Sequence, residues 1–114
     1  MSRHRIELGA VGEALAADWY VANGYTILDR NWRCRAGELD LVLASGRTVV
    51  FCEVKTRTTT AYGTPAEAVT RTKQLRIRRL AAEWLSHSQL RPASLRFDVA
   101  AVLAGELEVI EAAF

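Results

Sequence analysis

Cysteine, histidine and lysine are scarce in this chain, and each scarcity closes a route. Cys34 and Cys52 are the only cysteines and lack metal-type spacing, which excludes a thiolate metal site. Cys52 falls in an apolar strand pattern and reads as a small buried hydrophobe; a reduced cytoplasm suits both residues. His4 and His87 stand far apart in polar surroundings, which argues against a histidine-based zinc site. Long apolar runs are missing too: no segment approaches the roughly 18 unbroken apolar residues of a membrane helix. The opening Met1-Ser-Arg-His-Arg-Ile-Glu-Leu8 carries charge without the apolar stretch of a signal peptide. The expected location is the cytoplasm, with no membrane partner. An excess of one charge sign is also lacking. The formal net charge is +2, too small to argue attraction to nucleic acid from the total. Its distribution is uneven, with Arg71, Arg76, Arg78 and Arg79 in the middle and Glu106, Glu108 and Glu111 near the C-terminus.

What is present suits one domain over residues 1–114, long enough to bury a single core without metal or disulfide staples. From Glu7 to Asn23, Leu8, Val11, Leu15, Trp19 and Ala22 recur at helical spacing and predict one apolar stripe, with Gly24 as C-cap. Tyr25 to Trp32 is β-type but broken by Asp29 and Arg30, which suits a first strand near an edge. Glu38 to Leu43 predicts a second strand, Ser45-Gly46 a tight turn, and Thr48 to Lys55 a third strand returning as a hairpin. Thr58 to Gly63 is a polar loop. Thr64-Pro65-Ala66-Glu67 carries a capping residue, a proline and a glutamate in helix-start order. The helix continues, with a break near Thr70, to about Ser86 and buries Ile77, Leu80, Ala81 and Trp84. Leu95 to Leu103 predicts a further strand, and Leu107 to Ile110 is a candidate for a last one. The order α-β-β-β-α-β implies an α/β fold, a central mixed β-sheet flanked by helices.

Strand alternation places Glu38, Asp40 and Val42 on one face and Leu39, Leu41 and Leu43 on the other. Phe51, Glu53, Lys55 and Arg57 share a face, with Glu53 and Lys55 about 6–7 Å apart. The hairpin can bring Asp40 beside them. Alone, a Glu-x-Lys on a strand is most simply a structural ion pair. Three features point further. Glu53 follows the apolar run Val49-Val-Phe-Cys52, where an unpaired charge is costly. Asp40 adds a second carboxylate, and oxygen donors suit a hard divalent cation. Lys55 and Lys73 are the only lysines against thirteen arginines, so a retained lysine suggests a compact charge that a planar guanidinium cannot replace.

Asp40 followed by Glu53-Val54-Lys55 on adjacent strands resembles the Asp…Glu-x-Lys core of restriction-endonuclease-like nucleases. The wider run resembles the YraN-like family of small bacterial proteins of unsettled function. The matching pieces are Gly9-Ala-Val-Gly12-Glu13, Asn31-Trp32-Arg33-Cys34-Arg35, Gly37-Glu38-Leu39-Asp40, Phe51-Cys-Glu-Val-Lys-Thr-Arg57, Gly63-Thr-Pro-Ala-Glu-Ala-Val69, Lys73-Gln74 and Arg96-Phe-Asp-Val99. They cover nearly the whole chain. The resemblance implies the restriction-endonuclease-like fold and a site for Mg²⁺ or Mn²⁺ on Asp40, Glu53 and the backbone carbonyl of Val54. It also implies that Lys55 orients the attacking water. Glu13 matches an acidic residue that Holliday-junction-resolvase-like members place beside the metal; an exposed helix charge is an equal reading of it.

Lys73 and Gln74 flank the second helix's apolar stripe and are placed to reach the site, or to serve as simple boundary residues. Arg71, Arg76, Arg78, Arg79 and Arg57 are candidates for tracking a nucleic-acid backbone, and Tyr62 for stacking on a base. Such an arginine cluster is usually just a solvated face, and Tyr62 reads equally as a cover for the core. Asp98 reads as structural. The expected activity is metal-dependent hydrolysis of DNA phosphodiesters, structure-specificity included. Nucleic acid, first of all DNA, is the expected partner, and homodimer formation is left open. The rivals are a non-catalytic nucleic-acid-binding module on the same fold and an interaction protein with a buried ion network.

Overall fold

The computed structural model describes residues 3–58 and 69–114, with side chains from Leu8 onward. Its elements are α1 (Arg3–Ala22), β1 (Thr26–Cys34), β2 (Gly37–Ser45), β3 (Thr48–Arg57), α2 (Arg71–Ser86), β4 (Ser94–Leu103) and β5 (Glu106–Ile110). The five strands form one mixed sheet in the order β1-β2-β3-β4-β5. Only β3 and β4 run parallel, because the chain between them crosses over through α2 rather than a tight turn. Gly46, at φ 58°, makes the β2–β3 turn. The α/β order expected from hydrophobic patterning is therefore present, with β5 completing the sheet. Within the described residues α2 starts at Arg71, where the Thr70 hydroxyl caps the helix by accepting the Lys73 N–H at 3.3 Å. The helix start expected at Thr64–Glu67 lies outside the described residues.

Two cores sandwich the sheet. On one face Leu39, Val42, Val49, Phe51, Phe97 and Val99 pack under Ile77, Leu80, Ala81 and Trp84 of α2. On the other, Leu41, Leu43, Val50, Cys52 and Ala100 pack under Ala16, Ala17 and Tyr20 of α1. The buried face predicted for α2 is the observed one.

The stripe predicted for α1 is not the buried one. Val11 is 56% exposed, Ala22 is exposed, and Leu8, Leu15 and Trp19 are only half-buried. Gly12, Ala16, Ala17 and Tyr20 face the sheet instead. The cause is distance. At Gly12 the helix backbone lies so close to β3 that a Cβ there would collide with Thr56 Oγ1. Small residues make that approach possible, whereas a Val or Leu line would hold the helix off.

Asp98 fixes the other end of α1. Its fully buried carboxylate accepts the Tyr20 hydroxyl at 2.6 Å, Nε and an NH₂ of Arg96 at 2.9 Å each, and the Ala112 N–H at 3.0 Å. Arg96 also reaches Tyr25 Oη at 2.9 Å. One satisfied carboxylate thus ties α1, β4, the start of β1 and the C-terminal segment together, and so sets where Glu13, two turns before Tyr20, projects.

Candidate metal centre

The site begins where β2 parts from β3. Their ladder runs from Ser45↔Thr48 to Leu41↔Cys52 and goes no further, while β2 stays paired with β1 as far as Cys34↔Gly37. The parting leaves the Val54 N–H without a strand partner, and the Asp40 carboxylate accepts it at 2.8 Å. A side chain thus stands in for a lost backbone acceptor.

The parting also shifts the phase of β2. Leu39 packs with Val42 under α2, while Leu41 and Leu43 pack under α1. The uninterrupted alternation expected for Leu39, Leu41 and Leu43 is therefore broken at Asp40. Opposite it in β1 stands Asn31, at φ 51°, a conformation that asparagine tolerates better than most residues. Counted from Val42, Asp40 belongs to the α2 face with Glu53 and Lys55. Counted from Leu39, it belongs to the α1 face. Its carboxylate occupies the seam between them.

Carboxylates converge on that seam from both sides. One oxygen each of Glu13, Glu38 and Asp40 lies within 4.8 Å of the others, all three residues being half-buried. Oxygens on opposite sides of a six-coordinate Mg²⁺ stand about 4 Å apart, from bonds of about 2.0–2.1 Å, so small side-chain rotations bring this donor set to a hard cation. Glu53 is not a member of this trio. It is paired with Lys55, Oε1 to Nζ 3.1 Å, with side chains 17% and 19% exposed respectively. It is nevertheless close enough to act on Asp40. Burial first, and the Glu53 carboxylate second, push the Asp40 carboxyl up to about 7, against the pull of the Val54 N–H and Lys55. Burial likewise raises Glu13, opposed by a hydrogen bond from Asn31. Carboxyls that resist ionisation, crowded with oxygen donors, are what a divalent cation relieves.

Strand alternation groups Glu38 with Asp40, but the sequence pattern gives Glu38 no partner across the sheet. Only the shift in phase turns it toward Glu13. The Glu38 carboxylate also accepts from Arg33, Nε to Oε2 2.9 Å.

The remaining predicted residues are dispersed. Gln74 donates its amide to the Val69 carbonyl at 3.2 Å, and it and Lys73 are half-buried at the start of α2. Arg57 donates to the Thr56 carbonyl at 3.0 Å. Arg71, Arg76, Arg78 and Arg79 are all exposed and divide between the outer side and the two flanks of α2. Arg79 projects away from the buried stripe, and Arg71, two turns before Arg78, shares the flank of Arg78. Arg76 runs along one flank, where its Cδ packs near Gly37. Arg78 lies on the other, its guanidinium carbon 4.5 Å from the Phe97 ring centre. Tyr62 lies outside the described residues. A groove of about 200 Å³ lined by Leu28, Val49, Arg47 and Arg91 sits at the far end of the β2–β3 hairpin, away from the carboxylates.

The same stretch of chain that builds the seam carries the family likeness. A model of the uncharacterised protein family UPF0102 matches residues 12–102. The chain belongs to the UPF0102 family. Relatives include UPF0102 proteins of Frankia alni, 56% identical over 88% of this chain and 83% of the relative, and of Rhodococcus opacus, 55% identical over 90% and 86%. Another is from Mycobacterium tuberculosis, 54% identical over 89% and 80%. These UPF0102 proteins are the YraN-like group that the sequence motifs resemble. Within the UPF0102 chain the matched span takes in Glu13, Glu38, Asp40, Glu53 and Lys55 together, so the acidic seam is internal to the family domain.

Proposed function

We propose that this protein is a divalent-metal-dependent phosphodiesterase acting on DNA, on a restriction-endonuclease-like fold. The observation that carries the reading is the seam itself: Asp40 is held between Glu13 and Glu38 on one side and a Glu53–Lys55 pair on the other. Mg²⁺ or Mn²⁺ would be held by Asp40 with Glu13 and Glu38, and Glu53 and the Val54 carbonyl are the further ligands that the sequence resemblance implies. The cation would lower the pKa of a bound water and polarise a phosphoryl oxygen. The protein's own part is positional. The Val54 N–H fixes the Asp40 carboxylate, and the Lys55 ammonium, restrained by Glu53, orients a water and offsets charge gathering on the phosphate. Burial of the carboxylates favours their pairing with a cation over free ionisation.

The Glu53–Lys55 contact also favours one rival, a structural ion cluster without chemistry. Divalent-cation titration separates them. The decisive assay incubates the purified protein with Mg²⁺ or Mn²⁺ on linear, branched and single-stranded DNA. Cleavage lost in Asp40→Asn is the expected result; DNA binding without cleavage would leave a binding module, and neither cation nor DNA binding would leave the ion cluster.

A further inference from the structure

The seam carries four carboxylates, Glu13, Glu38, Asp40 and Glu53, against one lysine. With all ionised it is three charges negative, and a divalent cation still leaves it one negative. A DNA phosphate cannot settle there unless further positive charge borders the approach. The arginines on the outer side of α2 are not placed to supply it. Arg79 points away from the sheet, and Arg78 stacks over Phe97 and Phe114, at 4.5 and 5.7 Å, with Arg71 two turns before it on the same flank.

The β1–β2 hairpin is placed to supply it. Arg30 pairs across the sheet with Leu41, on the α1 face, and lies close enough to Glu13 to oppose the effect of burial on its carboxyl. Arg33 sits opposite Glu38 and holds it at 2.9 Å while remaining 77% exposed. Arg35, exposed, forms the turn between the strands. Arg76 of α2 packs its stem near Gly37 at the same turn. The hairpin projects past the point where β3 leaves it, so Arg33, on Glu38, and Arg30, beside Glu13, border the seam, with Arg35 and the Arg76 stem at the hairpin's turn.

We propose that Arg30, Arg33 and Arg35 of the β1–β2 hairpin, joined by Arg76, form the surface that grips the phosphate backbone of duplex DNA, and that the outer arginines of α2 do not. This rests on the DNA-directed reading above. It follows that Arg33 exchanges Glu38 for a phosphate when the carboxylates take a cation, since Glu38 cannot serve both fully.

The test measures binding of a fluorescently labelled DNA duplex by anisotropy over a series of KCl concentrations, in Ca²⁺, with denaturing gels confirming that the DNA stays intact. Arg30→Ala/Arg33→Ala/Arg35→Ala should weaken binding about tenfold or more and lower the salt slope by about two to three units. Arg71→Ala/Arg79→Ala should stay within about twofold of the parent. The corresponding triple lysine variant should recover most of the binding, and thermal melts check that each variant is folded. The inference is overturned if the hairpin triple variant binds like the parent, or if the α2 pair loses as much as the triple. If the parent cleaves DNA while the hairpin variant binds normally, this inference alone fails; if the parent neither binds nor cleaves, the phosphodiesterase reading falls with it.

Discussion

At Lys55 chemistry and structure make different demands on one side chain. Its ammonium touches Glu53 at 3.1 Å and both are largely covered. If Lys55 acts only as a counter-charge, Lys55→Ala strands a carboxylate and costs about 3–5 kcal/mol. We expect instead that Lys55→Ala abolishes cleavage, melts close to the parent and still binds Mn²⁺, because the cluster keeps ligands that a cation can satisfy. Melting curves and a Mn²⁺ titration of the variant check this. Asp40 yields a second expectation. Its folded carboxyl titrates at about 7, whereas an unfolded one titrates near 3.9. The metal-free native state thus binds a proton that the unfolded chain has released, and stability falls as pH rises from about 4 to about 7. Cation affinity runs the other way, rising through that window and levelling above it. Denaturant melts in chelator at about pH 5 and about pH 8 should show the loss, and Asp40→Asn should shrink it, leaving the smaller part due to Glu13.

Among the elements, α1 is the one whose placement matters most to the site, since it delivers Glu13 from across the sheet. Two contacts position it, the close approach at Gly12 and the Tyr20–Asp98 bond. Gly12→Ala should cost about 1–3 kcal/mol through overpacking against Thr56. It should also weaken Mn²⁺ binding, because relieving the collision lifts the helix and Glu13 with it. Calorimetry of metal binding beside thermal melts tests both; a variant that is destabilised but binds metal like the parent would show that Glu13 is no ligand. Periodicity could reveal that α1 exists but not which side it buries. Bulky residues dominate a hydrophobic stripe, whereas this contact selects for small ones.

For the molecule as a whole, a bound cation adds a tie between elements that already pack through Ala16, Ala17, Tyr20, Leu41 and Leu43: α1 through Glu13, β2 through Glu38 and Asp40. Ligand binding to the native state alone stabilises it, by about 2.7 kcal/mol at a hundred times the dissociation constant. Mg²⁺ or Mn²⁺ should therefore raise the melting temperature, and chelator should reverse the rise. Asp40→Asn should abolish the response without lowering the metal-free melting temperature, since it removes a buried, crowded charge. No helix among the described residues is long and apolar enough to cross a membrane.

The strands, the Ser45-Gly46 turn and the buried residues of α2 follow from the sequence by itself, because strand-type runs, turn residues and, in α2, helical spacing are local properties. The placing of Glu53 and Lys55 side by side follows from the same rule. The tertiary structure alone decided the rest. The shift in phase at Asp40 falls where β2 keeps β1 and gives up β3, opposite Asn31 at φ 51°, and a change of neighbour leaves no mark in a strand's own pattern. That shift brings Glu38 to Glu13 and sets Asp40 in the seam. The division of the arginines into a hairpin rim, an outer helix face and a stack over Phe97 depends likewise on which surface each element turns outward. A charged residue's spacing along the chain does not encode that.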